Sequence, residues 1–109
     1  MSSEDTDSVV EDAQKALNEA RARLVEVPAE TVVVNHVMGL YELAAIHLGA
    51  SPPRLGEASL AIDAVGCLVE GLGARLGPET ATLTAALANI RLAFVQIKGS
   101  VASAPLSPS

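Results

Sequence analysis

Residues 31–48, TVVVNHVMGLYELAAIHL, limit what this chain can become more than any other stretch. They read as one helix of about five turns, closed by Gly49 as a left-handed C-cap. The helix is apolar on nearly every side, and such a helix cannot stand alone in water. Either neighbouring helices wrap it, or a second copy of the chain completes the cover. Its length is near the lower limit for a membrane span, roughly 17 residues. Asn35, His36, Glu42 and His47 interrupt it, however, and neither end has a Lys/Arg cluster to set orientation. The sequence therefore predicts a buried helix of a soluble protein and no membrane span.

The flanking segments supply helices that can act as cover. Residues 1–7 are polar and acidic and are expected to be a disordered tail. A first helix is predicted over 8–26, with Ser8 as N-cap and Glu11 at the capping-box spacing. Its apolar positions, Val10, Ala13, Leu17, Ala20, Leu24 and Val27, form a narrow seam in steps of three and four. That seam suits a helix loosely docked on the body, or half of a short coiled coil. Two and a half heptads fall short of the three or four that establish a coiled coil. Pro28 breaks this helix and suits the first turn of the next, predicted over 29–48.

After Gly49, the segment Ala50-Ser51-Pro52-Pro53-Arg54 is a turn that no helix crosses. A third helix is predicted over 56–76, with a core stripe of Ala58, Ala61, Ile62, Val65, Leu68, Val69, Leu72 and Leu76. Gly66, Gly71 and Gly73 sit close together in it, each costing about 1 kcal/mol against alanine. They either admit a close neighbour or leave the helix end weak and mobile, and the second account is preferred. A fourth helix is predicted over 78–98, with Leu83, Ala86, Leu87, Ile90, Phe94 and Ile97 on one face and Gly99 as its stop. Residues 99–109, rich in Ser, Ala and Pro, are expected to be a disordered tail.

Charge narrows the classes of partner. The net charge is −6, and residues 1–30 hold eight acids against Lys15, Arg21 and Arg23. An acidic arm on a near-neutral body argues against nucleic acid or anionic lipid, both of which need a basic footprint. The arm instead suits a basic protein partner. The single Cys67 rules out an intramolecular disulfide, fits a reducing interior, and is expected to be buried and inert. No basic-then-apolar signal pattern opens the chain, so a cytoplasmic location is expected.

A search for chemistry finds little. His36 and His47 are eleven residues apart, about 16 Å along a helix, and cannot share a metal within one chain. Neither Glu-x-x-His pairs nor His-Glu-x-x-His occurs. The glycines Gly71, Gly73 and Gly77 follow no strand, so no phosphate loop is implied. No catalytic residue, metal ligand or cofactor is assigned, and the chain is read as a non-enzyme. One polar pair stands out. Arg91 and Asp63 are the charges nearest the middle of the fourth and third helices, and adjacent antiparallel helices would join them as a structural ion pair.

From residue 31 to 95 the chain resembles a small bacterial family known as domain of unknown function 1844. The resemblance lies in His47-Leu48-Gly49, in Ile62-Asp63-Ala64-Val65 with Leu68, in Leu76, Leu83 and Leu87, and in Ile90-Arg91-Leu92-Ala93-Phe94-Val95. Val27-Pro28-Ala29 also looks like the acidic, alanine-rich branch of that family. Members often have Lys-Thr-x-Gly-Asn-Leu at the end of the third helix, where this chain has Gly71-Leu72-Gly73-Ala74-Arg75-Leu76 and keeps only the leucine. The resemblance implies an all-helical intracellular protein with no established activity and a faint link to translation.

The fold class expected is therefore all-α: an antiparallel bundle of three core helices plus a less firmly attached N-terminal helix. A domain of about 90 ordered residues has a thin stability margin, which favours a homodimer. Val33, Val37, Leu40, Tyr41 and Ala44 of the central helix are the expected shared face. The expected function is a helical interaction or regulatory module. The alternatives are a small-molecule binder with an apolar cleft between helices, and a peripheral membrane protein.

Overall fold

Val34, Val37, Tyr41, Ala44 and Leu48 recur in steps of three and four and so line one face of a helix. In the computed structural model, which describes residues 3–103, four of them are buried and Tyr41 packs against them. They belong to α2 (Ala29–Leu48), which follows α1 (Ser3–Glu26) and precedes α3 (Leu55–Leu72). A 3₁₀ segment, Gly73–Glu79, leads into α4 (Thr80–Ser103). Among the described residues every element is helical, and α2, α3 and α4 pack against one another.

The core lies where these three helices meet. Ala58, Ala61, Ile62, Val65 and Val69 come from α3, and Leu83, Leu87 and Ile90 from α4. Leu76 reaches the same core from the 3₁₀ segment and is almost completely buried. With one Phe, one Tyr and no Trp in the chain, the core is aliphatic throughout. Small residues at Ala44, Ala58 and Ala61, all buried, bring the helix backbones close together. No residue of α1 is buried, and the contacts between elements run only among α2, α3, α4 and the 3₁₀ segment. The radius of gyration is 21.5 Å, against about 13 Å for a compact chain of this length.

The cover over α2 is one-sided, which corrects the expectation that it would be wrapped all round. Met38, Leu43 and Ile46 remain exposed. They are tolerated because Asn35, His36 and Glu42 are interleaved with them on the outer side. The apolar band around α2 is thus broken where no helix covers it. By length and composition alone, α2 is the one described helix long and apolar enough to cross a membrane.

Several boundaries also differ from expectation. The first helix begins at Ser3 rather than Ser8, so the acids at 4–7 lie in its first turns, where the helix dipole favours negative charge. Gly49 closes α2 with φ −83° and ψ −2°, in the right-handed region, not the left-handed one. Loop amides satisfy the helix end instead: Gly49 N–H donates to Ala45 O (2.9 Å) and Arg54 N–H to His47 O (2.9 Å). Gly99 does not stop the fourth helix, which continues to Ser103. A lone glycine costs only about 1 kcal/mol, less than a continuing turn of hydrogen bonds returns. Residues 1–2 and 104–109 of the expected tails lie outside the described residues.

The third helix ends four residues earlier than its apolar stripe implies, and two glycines are the cause. Gly73 (φ 51°) and Gly77 (φ 70°, ψ −143°) adopt backbone angles that side-chain-bearing residues avoid. They set off the 3₁₀ segment and swing Leu76 back into the core. The Glu30 carboxylate occupies the space a Cβ at Gly77 would need. The hydroxyl of Thr80 ties the segment to the start of α4, with Gly77 O at 2.7 Å and Gly73 O at 3.1 Å as acceptors. Replacement Gly77→Ala is expected to destabilise the body by about 1–3 kcal/mol, and Leu76→Ala by about 2–5 kcal/mol. Urea unfolding of each variant checks both, and wild-type midpoints would contradict this account of the corner.

Candidate functional site

Arg91 projects from α4 across α3 at Gly66, and the absence of a side chain there makes room for it. A Cβ at Gly66 would lie 2.6 Å from Arg91 Nη2. Gly66 is buried, whereas a Cβ at Gly71 would meet nothing within 4 Å, so Gly71 marks no close approach. Gly66 therefore fits the account of a close neighbour, against the one preferred from the sequence, and Gly73 ends the helix through its backbone angles.

The ion pair forms with Glu70, not with Asp63. Arg91 Nη2 donates to Glu70 Oε1 at 2.7 Å, and both side chains are exposed. Gly66 lies between the two carboxylates along the α3 stripe, so spacing alone does not separate them. Direction does: helical side chains lean toward the N-terminus, which tips Glu70 back over Gly66 and tips Asp63 away from it. Asp63 still lines the groove beside Arg91 with Ser59, Ile62, Phe94 and Val95, and adds a longer-range attraction. The hydrogen bond from Arg91, followed by its charge, holds the Glu70 carboxyl below its ordinary range. The same hydrogen bond raises the Arg91 guanidinium, against an opposing effect of desolvation.

The other titratable residues come together less. His36 is exposed, with its Nδ1 2.8 Å from Val32 O of its own helix. His47 is half-buried, three turns further along α2. Cys67 is exposed on the outer side of α3, contrary to the expectation that it would be buried. It lies between Asp63 and Glu70, on the side α3 turns away from the core. Among the described residues no group of three His, Cys, Asp or Glu side chains is placed to hold a metal ion.

The five residues expected to form a dimer face lie on the side of α2 turned to the core, two of them buried and three half-buried. Val37 and Ala44 are fully buried, and Val33, Leu40 and Tyr41 pack against the core. They are the strip of α2 that α3 and α4 cover, so the most apolar face of that helix is already used within one chain.

Two other apolar faces are uncovered. On α1 the seam from Val10 to Val27 is open, with Val10 61%, Leu17 45% and Leu24 63% exposed. On α4, Ala81, Ala85, Ala88, Leu92, Val95 and Gly99 repeat in steps of four and three on the side opposite Leu83, Leu87 and Ile90. All six are exposed, Leu92 and Val95 by more than half. Sequence reasoning took α4 for a one-faced helix. The signal for the second face was a second repeat, out of phase with the first and free of charge.

Compared with protein-family models, curated proteins and solved structures, the chain matches none.

Replacing Gly66 by alanine separates packing from charge. Arg91 is the flexible end of that contact and can swing into solvent, giving up an exposed ion pair of small worth. The helix meanwhile gains up to about 1 kcal/mol in propensity. Gly66→Ala is therefore expected to stabilise the body while returning the Glu70 carboxyl to its ordinary range, as NMR titration would record. A depressed Glu70 contributes stability that is full above the unfolded carboxylate range and lost as pH falls through its folded value. That loss on acidification should vanish in Gly66→Ala and in Arg91→Gln. A destabilised Gly66→Ala, or an unmoved Glu70 titration, would contradict the reading.

Proposed function

We propose that this chain is a non-enzymatic interaction module. In this reading α2, α3 and α4 form an antiparallel bundle that serves as a body, and α1 is a less firmly attached recognition arm. One observation supports it above the others: a 24-residue amphipathic helix with no buried residue. A helix relies mainly on tertiary packing of its apolar face for stability in water. The open seam of α1 is therefore the part of the molecule that gains most from a partner.

Charge gives the partner a chemistry. Residues 3–14 of α1 hold five acids and no base, which favours a surface bearing arginine or lysine beside an apolar strip. Short connections of two residues before α2 and six before α3 suit helices running alternately up and down. The free, exposed thiol of Cys67 suits a reducing, cytoplasmic setting. A link to translation rests on the family resemblance alone and is part of the proposal.

Deleting residues 1–27 tests the reading. The shortened chain is expected to keep its thermal midpoint within about 2 °C, since α1 adds nothing to the core and changes away from the core are worth little. It is expected to lose capture of partners by the immobilised protein. Undiminished capture by the shortened chain would refute the role given to α1.

A further inference from the structure

We infer that the partner of α1 is a second copy of this chain, and that its docking site is the outer face of α4. This inference rests on the reading of α1 as the recognition element and names what it recognises. Besides the exposed Met38, Leu43 and Ile46 of α2 and Leu60 of α3, the structure leaves two longer apolar seams uncovered, each repeating in steps of three and four. One is Val10, Ala13, Leu17, Ala20, Leu24 and Val27; the other is the α4 face centred on Leu92 and Val95. One contact covers both.

Charge favours the pairing and sets its direction. Helix α1 has seven acids and three bases, while α4 has no acid and two bases, Lys98 and the Arg91 already paired with Glu70 of α3. All five acids of 3–14 lie in the first half of α1, and Lys98 lies near the end of α4. Only an antiparallel arrangement brings them together, and it also opposes the helix dipoles. A parallel one sets the acids beside Glu79 and the α1 arginines beside Arg91 and Lys98.

The antiparallel register also packs. Placing Val10 opposite Val95 sets Ala13 opposite Leu92, Leu17 opposite Ala88 and Leu24 opposite Ala81. Most layers then join a large side chain to a small one, the complementarity that close helix packing requires. Lys98 falls at the edge of this seam, on the same side as Arg91, next to the acidic half of α1. Pairing α1 with another α1 leaves the α4 face open and brings together two helices that are both net negative.

The site is assigned to another copy because α1 touches neither α4 nor any other element of its own chain. One edge of the open α4 face borders α3, where Val95 lines a groove with Ser59, Ile62 and Asp63. Two copies exchanging their first helices make the contact twice, in a closed two-fold dimer.

Light scattering on the full chain is expected to give twice the chain mass of 11.1 kDa. Leu92→Glu and Leu17→Glu should each halve that mass. Leu92 is exposed in the monomer, so its variant is expected to keep a folded body by circular dichroism even if Leu17→Glu weakens α1. In a Cys67→Ser background, chains with Ala13→Cys mixed with chains with Leu92→Cys should give a disulfide-linked heterodimer. A monomeric mass would overturn the inference but leave the interaction reading standing if capture of another protein still needs residues 1–27. A dimer that survives Leu92→Glu, or a 13–92 disulfide formed within one doubly substituted chain, would also overturn it. A dimer that persists without residues 1–27 would count against both.

Discussion

Val37 and Ala44, two turns apart on α2, reach zero exposure because α3 and α4 close over the same strip of that helix. The rest of the body depends on this contact. The small side chain of Ala44 admits a neighbouring helix, and Ala58 and Ala61 do the same from α3. With scarcely any aromatic volume to fill space, the core needs its backbones close, and alanine at the crossing points allows that. The corner at Gly73 and Gly77 then turns the chain so that Leu76 can plug the end of the same core.

Closing that strip fixes what is left over. The apolar surface left over falls on α1, on the outer side of α4, and on Met38, Leu43 and Ile46 of α2 and Leu60 of α3. Acids concentrate at the start of α1 and α4 has only bases, while residues 27–79 between them hold six acids against Arg54 and Arg75. The interaction reading grows out of the two longest uncovered apolar seams, which lie on α1 and α4, where the acids of one face a helix with no acid. The Arg91–Glu70 pair belongs to the body. It joins α3 to α4 across Gly66 and needs no partner.

Much of the fold was legible in the sequence, because strong periodicity survives almost any tertiary context. The stripes through Ala58, Ile62 and Val65 and through Leu83, Leu87 and Ile90 point inward as their spacing implies. What was missed has physical causes. Periodicity counts apolar positions but not how many neighbours exist to cover them, so α2 looked more enclosed than it is. Glycine is ambiguous from sequence: Gly77 breaks the helix through its backbone angles, Gly66 makes space, and Gly99 is simply passed through. The ion pair turned on the direction in which helical side chains lean, which separates Glu70 from Asp63 where spacing does not. The α4 outer face was overlooked because alanines at 81, 85 and 88 give a weak hydrophobic signal, although small residues are what close helix contact uses.

The central claim is that α2, α3 and α4 fold as one unit while α1 is ordered by association. Amide hydrogen exchange followed over a dilution series tests it most directly. Core amides such as those of Val37, Val65 and Leu87 are expected to exchange through one common opening whose free energy does not change with chain concentration. The amides of α1 are expected to lose protection on dilution, in step with dissociation. Protection in α1 that matches the body at every concentration would contradict the account, as would body amides whose protection falls together with that of α1.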